Sequence, residues 1–560
     1  MSGAFARALD LDRHLGDATS TAAIIRDSDT ISFDERSEFP QVAVDALNEW
    51  GLQRSYVPIE FGGEMTDVLA PMLQIRHIAR RDMTVAVAHG KSFLGAVCAW
   101  VAGGTSAKHL APIVLSGAPV SWGLTEQGRG SDILRTATHY RTDGTMRIEG
   151  GKWPINNATR GRAMCVLVRT RNEIGPRSLS LVLADKEELD PASFEYRPKV
   201  QTHGIKGADI SGIDWHGTEV PADRLVGESG KGLDLVLRAL QLTRPTCTAL
   251  SLGGADRAVE AVLDFVTNRR LYGRRLLDLP EAATDAGAMF ADALIAEATA
   301  IVGARHVANL TDEMALISAL VKYVVPATVD ALYRDATRFL GARSQLSGIA
   351  GAGLFEKAAR DNRVVGIFDG NSVVNLHAIV NEFQSVAKGA RQHPETAQLL
   401  NALDPGAPTA TLDFTRLRLI TRAGSSLVSA VEPLVGMLPA ESPPAFNRVV
   451  KVFTSAVAVL IQDVSSIPRT AAPGAAHFDI ARRLAEAFAG ASCLALVLQN
   501  SSASGLANET VWATAALSRV CQRMGRPVQG AAASYAELHE LALATHHRGT
   551  TVSLFDGWTA

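Results

Sequence analysis

Residues 124–132 read LTEQGRGSD, and much later in the chain residues 368–371 read FDGN. The first motif is a turn whose two glycines let backbone N–H groups approach a ligand closely, while Thr125 and Ser131 supply hydroxyls. Such a turn suits an anionic or carbonyl-rich ligand. The second motif places one carboxylate, Asp369, beside a glycine after an apolar pair. Each motif alone is typical of an ordinary loop, so the motifs that accompany them decide between a loop and a site.

The composition indicates an ordinary globular protein of several domains. A chain of 560 residues exceeds what one hydrophobic core normally organises. Hydrophobic residues make up 47% of the chain and charged residues 20%, which is typical of globular domains. A formal net charge of -3 gives no reason to expect a nucleic acid or an acidic membrane surface as the main partner.

The cysteines and the apolar runs of the sequence indicate in which cellular compartment the protein is expected. Five cysteines are scattered without a CxxC pair, which argues against a disulfide framework and against a metal site such as zinc. Residues 1–14 contain charged side chains and no apolar signal-peptide core. The longest apolar runs are short enough to be buried helix segments. We therefore expect a cytoplasmic protein without an integral membrane segment.

Hydrophobic periodicity divides the chain into four segments in the order helical, β, helical and helical. Short β-rich runs bounded by Gly, Pro, Asn or Asp fill the second segment, and a Pro-containing stretch at 401–409 precedes the fourth. The predicted domains are 1–117 (helical), 118–227 (β), 228–395 (helical bundle with the candidate base) and 410–560 (helical extension).

The runs within these segments predict individual elements. The β-rich runs are 120–124, 146–149, 163–169, 178–184 and 210–216. The helical runs after the β segment include 233–242, 246–270, 282–310, 312–340, 376–387, 412–437, 446–464, 478–498, 510–523 and 532–544.

Five motifs in this order resemble those of the acyl-CoA dehydrogenase family: LTEQGRGSD at 124–132, KWPINN at 152–157, QLTRP at 241–245, NRRLYGR at 268–274 and IFDGN at 367–371. The resemblance covers residues 30–390. With the periodicity, it implies an α+β fold with an N-terminal helical domain, a central small β-barrel or sandwich domain and a C-terminal four-helix bundle. An extra C-terminal all-helical domain follows. That extension resembles, by its position, the one in very-long-chain members, which implies a homodimer.

The resemblance implies FAD as the cofactor. It assigns four residues of the first motif to the flavin, namely Leu124, Thr125, Gly130 and Ser131. Ser131 matches a residue at the flavin phosphate or at the pantetheine arm of the substrate. A Trp and a Thr of the family's second motif contact the flavin ring. Those positions hold Pro154 and Asn156 here, and only Asn156 keeps a side-chain donor.

Further cofactor contacts are implied later in the chain. Arg269 and Tyr272 match residues that reach the pyrophosphate and adenine of a neighbouring subunit's flavin, and the planar fork of an arginine suits phosphate. A basic helix end is the alternative interpretation of Arg269. Gly341 matches a glycine that faces flavin, and Asn371 follows the candidate base.

The base loop and the QLTRP motif imply the substrate site. Asp369 stands where the family usually has Glu, so the resemblance makes it the catalytic base, with Gly370 and Arg244 as further catalytic residues. Arg244 is a candidate for a fixed cation that positions the base loop or the thioester, with an ordinary salt bridge as the alternative. The implied substrate contacts are Ser131, Gln241, Thr243, Arg244 and Gly370.

The implied reaction is α,β-dehydrogenation of an acyl thioester, on CoA or on a carrier protein, as in fatty acid metabolism. It needs a base for the α proton, flavin N5 as hydride acceptor, and donors for charge on the thioester oxygen. The family passes its electrons to an electron-transfer flavoprotein. Two alternatives stay open because Asp is one methylene shorter than Glu. One is a flavin oxidase or monooxygenase on the same fold, like nitroalkane oxidase, and the other is a catalytically degenerate subunit of a heteromeric dehydrogenase.

Overall fold

The computed structural model describes residues 3–141, 146–392, 394–470, 472–499, 506 and 509–555. Its N-terminal part is helical, as the periodicity predicts. The helices are α1 (Gly3–Leu15), α2 (Asp27–Arg36), α3 (Gln41–Trp50), α4 (Leu69–Arg81), α5 (Met83–Ala102) and α6 (Gly104–Leu115). Helix α5 begins after Asp82, whose side chain accepts a hydrogen bond from the Thr84 N–H at 2.8 Å. Most of α5 is buried, so it acts as a central support for the elements around it.

The second segment forms one eight-stranded sheet. Its strands are β1 (Val120–Gly123), β2 (His139–Arg141), β3 (Arg147–Asn156), β4 (Ala163–Arg169), β5 (Leu179–Asp185), β6 (Phe194–Arg197), β7 (Ile210–Glu219) and β8 (Leu225–Val226). The strand order is β6-β7-β3-β2-β4-β5-β8, with β1 paired in parallel to β4. The predicted barrel or sandwich is therefore an open sheet, because β6 and β8 lie at opposite ends of this path and do not pair.

The central strands β4 and β5 are buried on both faces. Alternate side chains of β4 point to different cores, since successive residues of a strand face opposite sides. Cys165 and its alternate neighbours join the large helical core, whereas Met164 and Val166 join a smaller core with Trp215. The sheet is thus fixed against the helices on one side, and this attachment positions the loops at the ends of β1 and β3.

Three long helices dominate the third segment. Its elements are α7 (Gly232–Asn268), β9 (Arg270–Leu271), β10 (Arg274–Arg275), α8 (Pro280–Asn309), α9 (Met314–Leu340), α10 (Leu354–Asn362), α11 (Ser372–Asn381) and α12 (Phe383–Gly389). The sequence predicted two helices on either side of Pro245, but α7 continues through it. A proline removes one backbone donor from a helix, and here the buried packing of α7 against its neighbours compensates for that loss.

The last segment is helical with one exception. Its helices are α13 (Thr396–Leu403), α14 (Ser426–Ser429), α15 (Val431–Val435), α16 (Pro444–Ser466), α17 (Ala475–Leu498), α18 (Thr510–Arg523) and α19 (Ala531–His547). Helices α17, α18 and α19 pack on α8, and their apolar side chains belong to the same core as the third segment. Gly287 of α8 allows this close approach, because a Cβ there would overlap the carbonyl of Tyr535. The predicted domain limits stay predictions, and 1, 2 and 556–560 lie outside the described residues.

The predicted helical run at 412–437 is wrong over its first half. Residues 412–425 contain only a short 3-10 turn and cross the bundle as an irregular segment. Tertiary contacts satisfy its polar groups. The Arg418 carbonyl accepts from Gln241 at 2.6 Å, and the Thr421 hydroxyl donates to Glu382 at 2.6 Å. These contacts replace the hydrogen bonds that a helix would have supplied.

Four helices are long and apolar enough, by length and composition, to cross a membrane: α5, α8, the stretch Thr311–Gln345 that contains α9, and α16. The most apolar windows of the first three are 72–89% buried inside the structure. Their composition is therefore explained by the core that they form. The corresponding window of α16 is 39% buried, and its apolar face packs against α18.

Candidate active site

The base loop, residues 364–371, connects α10 to α11. Asp369 has φ 54° and Gly370 has φ 93°, so two successive residues lie in the left-handed region that only the second adopts without strain. The Asn371 side chain accepts a hydrogen bond from the Val374 N–H at 2.9 Å and begins α11. The loop therefore presents the half-buried Asp369 carboxylate in a fixed backbone conformation.

Helix α7 holds Asp369 at two points. The Arg244 Nε donates to the Asp369 carbonyl at 3.3 Å, and the Cys247 Sγ donates to Asp369 Oδ2 at 3.4 Å. Residues three apart share one face of a helix, so a single turn of α7 contacts both the backbone and the carboxylate. Burial lowers the pKa of Arg244 to about 10 against the opposing effect of Asp369, which leaves the guanidinium charged at neutral pH. Arg244 thus contacts the base loop through its backbone, and its predicted role in positioning that loop or the thioester stays a prediction.

Two lysines hold the loop from other sides. The Lys322 Nζ, from α9, donates to the carbonyls of Val365 at 2.6 Å and Phe368 at 2.7 Å. The Lys91 Nζ, from α5, lies 3.8 Å from the centre of the Phe368 ring, a cation–π contact. Burial lowers the pKa of Lys322 to about 8.

Sequence reasoning missed Cys247, Lys91 and Lys322. A signal for Lys322 was present, because it is an isolated charge in the apolar run MALISALVKYVV and a buried lysine needs a partner. Lys91 and Cys247 gave no comparable signal, since each reaches the loop only through helix packing.

The glycine-containing turn at 124–132 and the base loop meet in the structure. The Asn371 Nδ2 donates to the Ser131 Oγ at 3.3 Å, which joins the base loop to the glycine-containing turn. Ser131 and Gly130 are exposed, and a Cβ at position 130 would meet no atom within 4 Å, so the turn has open space beside it. A ligand held by this turn would lie next to the loop that carries the candidate base.

Glu126 anchors the turn from inside. Its carboxylate accepts from the Lys152 Nζ at 2.8 Å, the Ala137 N–H at 2.7 Å and the Thr138 hydroxyl at 2.8 Å. Burial raises the pKa of Glu126, but the Lys152 charge and these hydrogen bonds outweigh burial and lower that pKa to about 2. The Lys152 Nζ also donates to the Leu124 carbonyl at 3.2 Å. The backbone of the turn is therefore fixed before any ligand binds.

Asn156 meets the requirement for a cofactor contact. Both polar atoms of its side-chain amide are buried and lack a hydrogen-bond partner among the residues that the structure describes. Buried amides nearly always have partners, so this pair of atoms fits a ligand that offers an acceptor and a donor. Asn156 ends β3, and the nearby Trp153 N–H donates to the Thr125 carbonyl at 3.0 Å, which joins the strand to the turn. The residues present here fit the edge of a flavin ring.

Gln241 and Thr243 lie six and four residues before Cys247 in α7, and both are buried. The Gln241 amide nitrogen binds the Arg418 carbonyl of the irregular segment, and its carbonyl oxygen has no partner within the described ranges. The Thr243 hydroxyl likewise lacks one in the described part of the chain. Their predicted contact with substrate stays a prediction.

Three further candidate cofactor residues lie outside the turn and the base loop, namely Arg269, Tyr272 and Gly341. Arg269 follows the end of α7, about 25 residues beyond Arg244, which corresponds to roughly 37 Å along a helix. Arg269 and Gly341 line a cleft of about 1010 Å³ to which Arg519 of α18 also contributes. Tyr272 is at the tip of the β9–β10 hairpin with 95% of its side chain exposed. Arg269 and Tyr272 thus lie near the end of α7 that is remote from Arg244, and the predicted cofactor contacts of Arg269, Tyr272 and Gly341 stay predictions.

Family models match two parts of the chain. The model of the acyl-CoA dehydrogenase middle domain matches residues 121–216, and that of the acyl-CoA dehydrogenase C-terminal domain matches residues 230–383. These ranges contain the turn, Asn156, α7 and the base loop.

Individual proteins agree with the family models. A probable acyl-CoA dehydrogenase of Mycobacterium tuberculosis is 30% identical over 246 residues, which are 43% of this chain and 62% of the relative. The chain thus spans about three fifths of the length of that relative. The short-chain specific acyl-CoA dehydrogenase of Bos taurus is 24% identical over 348 residues, 61% of this chain and 82% of the relative.

A solved structure shows the same fold over nearly the whole chain. The crystal structure of an acyl-CoA dehydrogenase complexed with FAD from Bacillus anthracis has a TM-score of 0.72 at 17% identity, and the alignment covers 97% of this chain and 95% of that one. The motifs, the two family models and this shared fold lead to one conclusion: the chain has the acyl-CoA dehydrogenase fold, and residues 121–216 and 230–383 are similar to the middle and C-terminal domains of that family.

Proposed function

We propose that this protein is an FAD-dependent oxidoreductase that removes hydrogen from Cα and Cβ of an acyl thioester, with Asp369 as the base. The observation that carries the proposal is the 3.3 Å hydrogen bond from Asn371 to Ser131. That contact joins the loop that carries the half-buried Asp369 to a turn with open space beside Gly130. The similarity of residues 121–216 and 230–383 to the two acyl-CoA dehydrogenase domains supports the same reaction class.

The flavin would lie between the turn and the end of β3. Thr125, Ser131 and the amide of Asn156 would hold it, because Thr125 and Ser131 belong to the turn, Asn156 ends β3, and the buried Asn156 amide needs partners. When bound, FAD supplies the two-electron acceptor for the hydride from Cβ. Leu124, Gly130 and Asn371 complete the proposed set of cofactor contacts in the same chain.

The residues of the chain supply the remaining chemistry. The Asp369 carboxylate takes the proton from Cα, as a general base must. The negative charge that develops on the thioester oxygen needs donors, and the N–H groups of Asp369 and Gly370 have no acceptor within the described ranges. Arg244 and Lys322 hold the loop carbonyls, so the base and these donors keep a fixed geometry. Gln241 and Thr243 would contact the acyl or pantetheine part of the substrate.

A second cluster of candidate cofactor residues, formed by Arg269, Tyr272 and Gly341, supports a second copy of the chain in the assembly. Arg269 follows α7 about 25 residues after Arg244, roughly 37 Å along that helix, and Gly341 lines the same cleft as Arg269. We propose a homodimer in which each copy directs this cluster to the cofactor of its partner. We further propose a cytoplasmic protein that receives its acyl group on CoA or on a carrier protein and passes electrons to an electron-transfer flavoprotein.

Anaerobic reduction of the bound flavin tests the proposed function. We expect the visible flavin band to bleach on addition of at least one thioester from a panel of acyl-CoAs and the same acyl groups on a phosphopantetheinyl carrier. Bound flavin that no thioester reduces would contradict the proposed dehydrogenation. Rapid reoxidation of the bleached protein in air would identify an oxidase, and purification without flavin despite FAD supplementation would identify a degenerate subunit.

Substitution of Asn156 tests the proposed flavin contact. Asn156→Ala is expected to weaken FAD binding about tenfold, because the flavin ring loses hydrogen bonds to a buried amide. The measurement is fluorescence titration of the apoprotein with FAD. Asn381→Ala, at an exposed position of α11, is the matched control and should bind FAD like the wild type. Equal affinity of all three proteins would remove Asn156 from the flavin site.

A further inference from the structure

We infer that Cys247 is a positioning residue for the base: its thiol hydrogen-bonds Oδ2 of Asp369 and leaves Oδ1 to receive the substrate proton. The inference rests on the proposed function, since it presumes that Asp369 is a base. The inference assigns a role to a buried side chain of α7 that no sequence motif identified.

The contact is the single hydrogen bond that the Asp369 carboxylate accepts within the described part of the chain. Three cations surround the loop, but none is directed at the carboxylate. Arg244 donates to the Asp369 carbonyl, Lys322 donates to two other carbonyls, and Lys91 lies over the Phe368 ring. The carboxylate is therefore oriented by a neutral donor and not by a salt bridge.

A thiol is suited to this task. A cation in direct contact would stabilise the ionised carboxylate strongly and make it a poorer base. A thiol is a weak donor, so it restricts the orientation of the carboxylate with less stabilisation of its charge. Burial, together with the nearby Asp369 charge, raises the pKa of Cys247, so the sulfur keeps its proton and acts as the donor.

The shortness of the base makes its orientation important. Asp369 reaches one methylene less far than a glutamate, and a displacement of about 1 Å in a reacting group reduces the rate roughly a hundredfold. The positive φ of Asp369 and the Arg244 contact fix its backbone, which leaves the side-chain torsions free. The Cys247 contact removes that remaining freedom.

Three substitutions separate orientation from packing. Cys247→Ser keeps a donor, Cys247→Val fills the space without a donor, and Cys247→Ala removes both. We expect the valine and alanine variants to reduce their flavin about tenfold more slowly with an acyl thioester, and the serine variant to stay within about threefold of wild type.

Infrared difference spectroscopy detects the same hydrogen bond without substrate. The carboxylate band that disappears in Asp369→Asn belongs to the base, and its frequency should change in Cys247→Val, because one carboxylate oxygen loses its hydrogen bond, and return toward the wild-type value in Cys247→Ser. Arg244, Lys91 and Lys322 are unchanged in every variant, so they do not account for a difference. An unchanged carboxylate band in Cys247→Val, together with flavin reduction as fast as in wild type, would show that Cys247 only packs. If Asp369→Asn itself keeps wild-type flavin reduction, the proposed function fails instead.

Discussion

Asp369→Asn is expected to slow anaerobic flavin reduction by an acyl thioester by roughly 10²–10⁴-fold, the range that a general base contributes. Asparagine has nearly the same shape as aspartate and its amide oxygen can still accept the Cys247 hydrogen bond. The Arg244 contact involves the backbone carbonyl and is unaffected. The substitution therefore removes the proton acceptor and keeps the geometry of the loop.

Stopped-flow absorbance at the flavin band measures this effect. Asp132→Asn is the matched control, because Asp132 is an exposed carboxylate next to Ser131 in the same turn, and we expect its rate to stay within about twofold of wild type. The affinity for substrate, from the concentration dependence of the rate, should change little in either variant. A rate for Asp369→Asn within tenfold of wild type would mean that another group removes the proton.

The candidate site was predictable where its chemistry lies in contiguous motifs. The turn at 124–132 and the base loop were identified from residue types and their order, and the structure joins them through Ser131 and Asn371. The side chains that hold the base were not predictable, because Lys91 and Lys322 come from helices α5 and α9 and reach the loop only after those helices pack. Periodicity reports which face of a helix is buried but not which loop that face contacts.

The fold was predictable to a similar degree. The run at 163–169 coincides with β4, and the run at 510–523 coincides with α18, because a continuous apolar or periodic pattern is the strongest local signal. The edge strand β6 gave no such signal, since it is short and largely exposed. The irregular segment at 412–425 was missed for a different reason. Its backbone groups are satisfied by Gln241 and Glu382 from distant parts of the chain.

Arg76→Ala should destabilise the fold more than any surface substitution. The Arg76 side chain is 2% exposed and binds Asp256 of α7 through two nitrogens, at 2.8 and 2.7 Å, and Glu297 of α8 at 2.6 Å. Glu297 also accepts from the Ser553 hydroxyl at 2.6 Å, so one buried cluster links α4, α7, α8 and the C-terminal residues. Burial lowers the pKa of Arg76, but the two carboxylates outweigh burial and hold it above its ordinary value.

Removal of the guanidinium leaves two carboxylates in the core without their cation, and breaking a buried pair in this way costs about 3–5 kcal/mol. Thermal unfolding measures the loss as a fall of several degrees in the first transition, since a chain of this size need not unfold in one step. Arg13→Ala, which removes an exposed pair with Asp10, is the control and should cost less than about 1 kcal/mol. A deficit equal to that of Arg13→Ala would mean that water or a rearranged side chain compensates the charges and that the cluster does not hold the helices together.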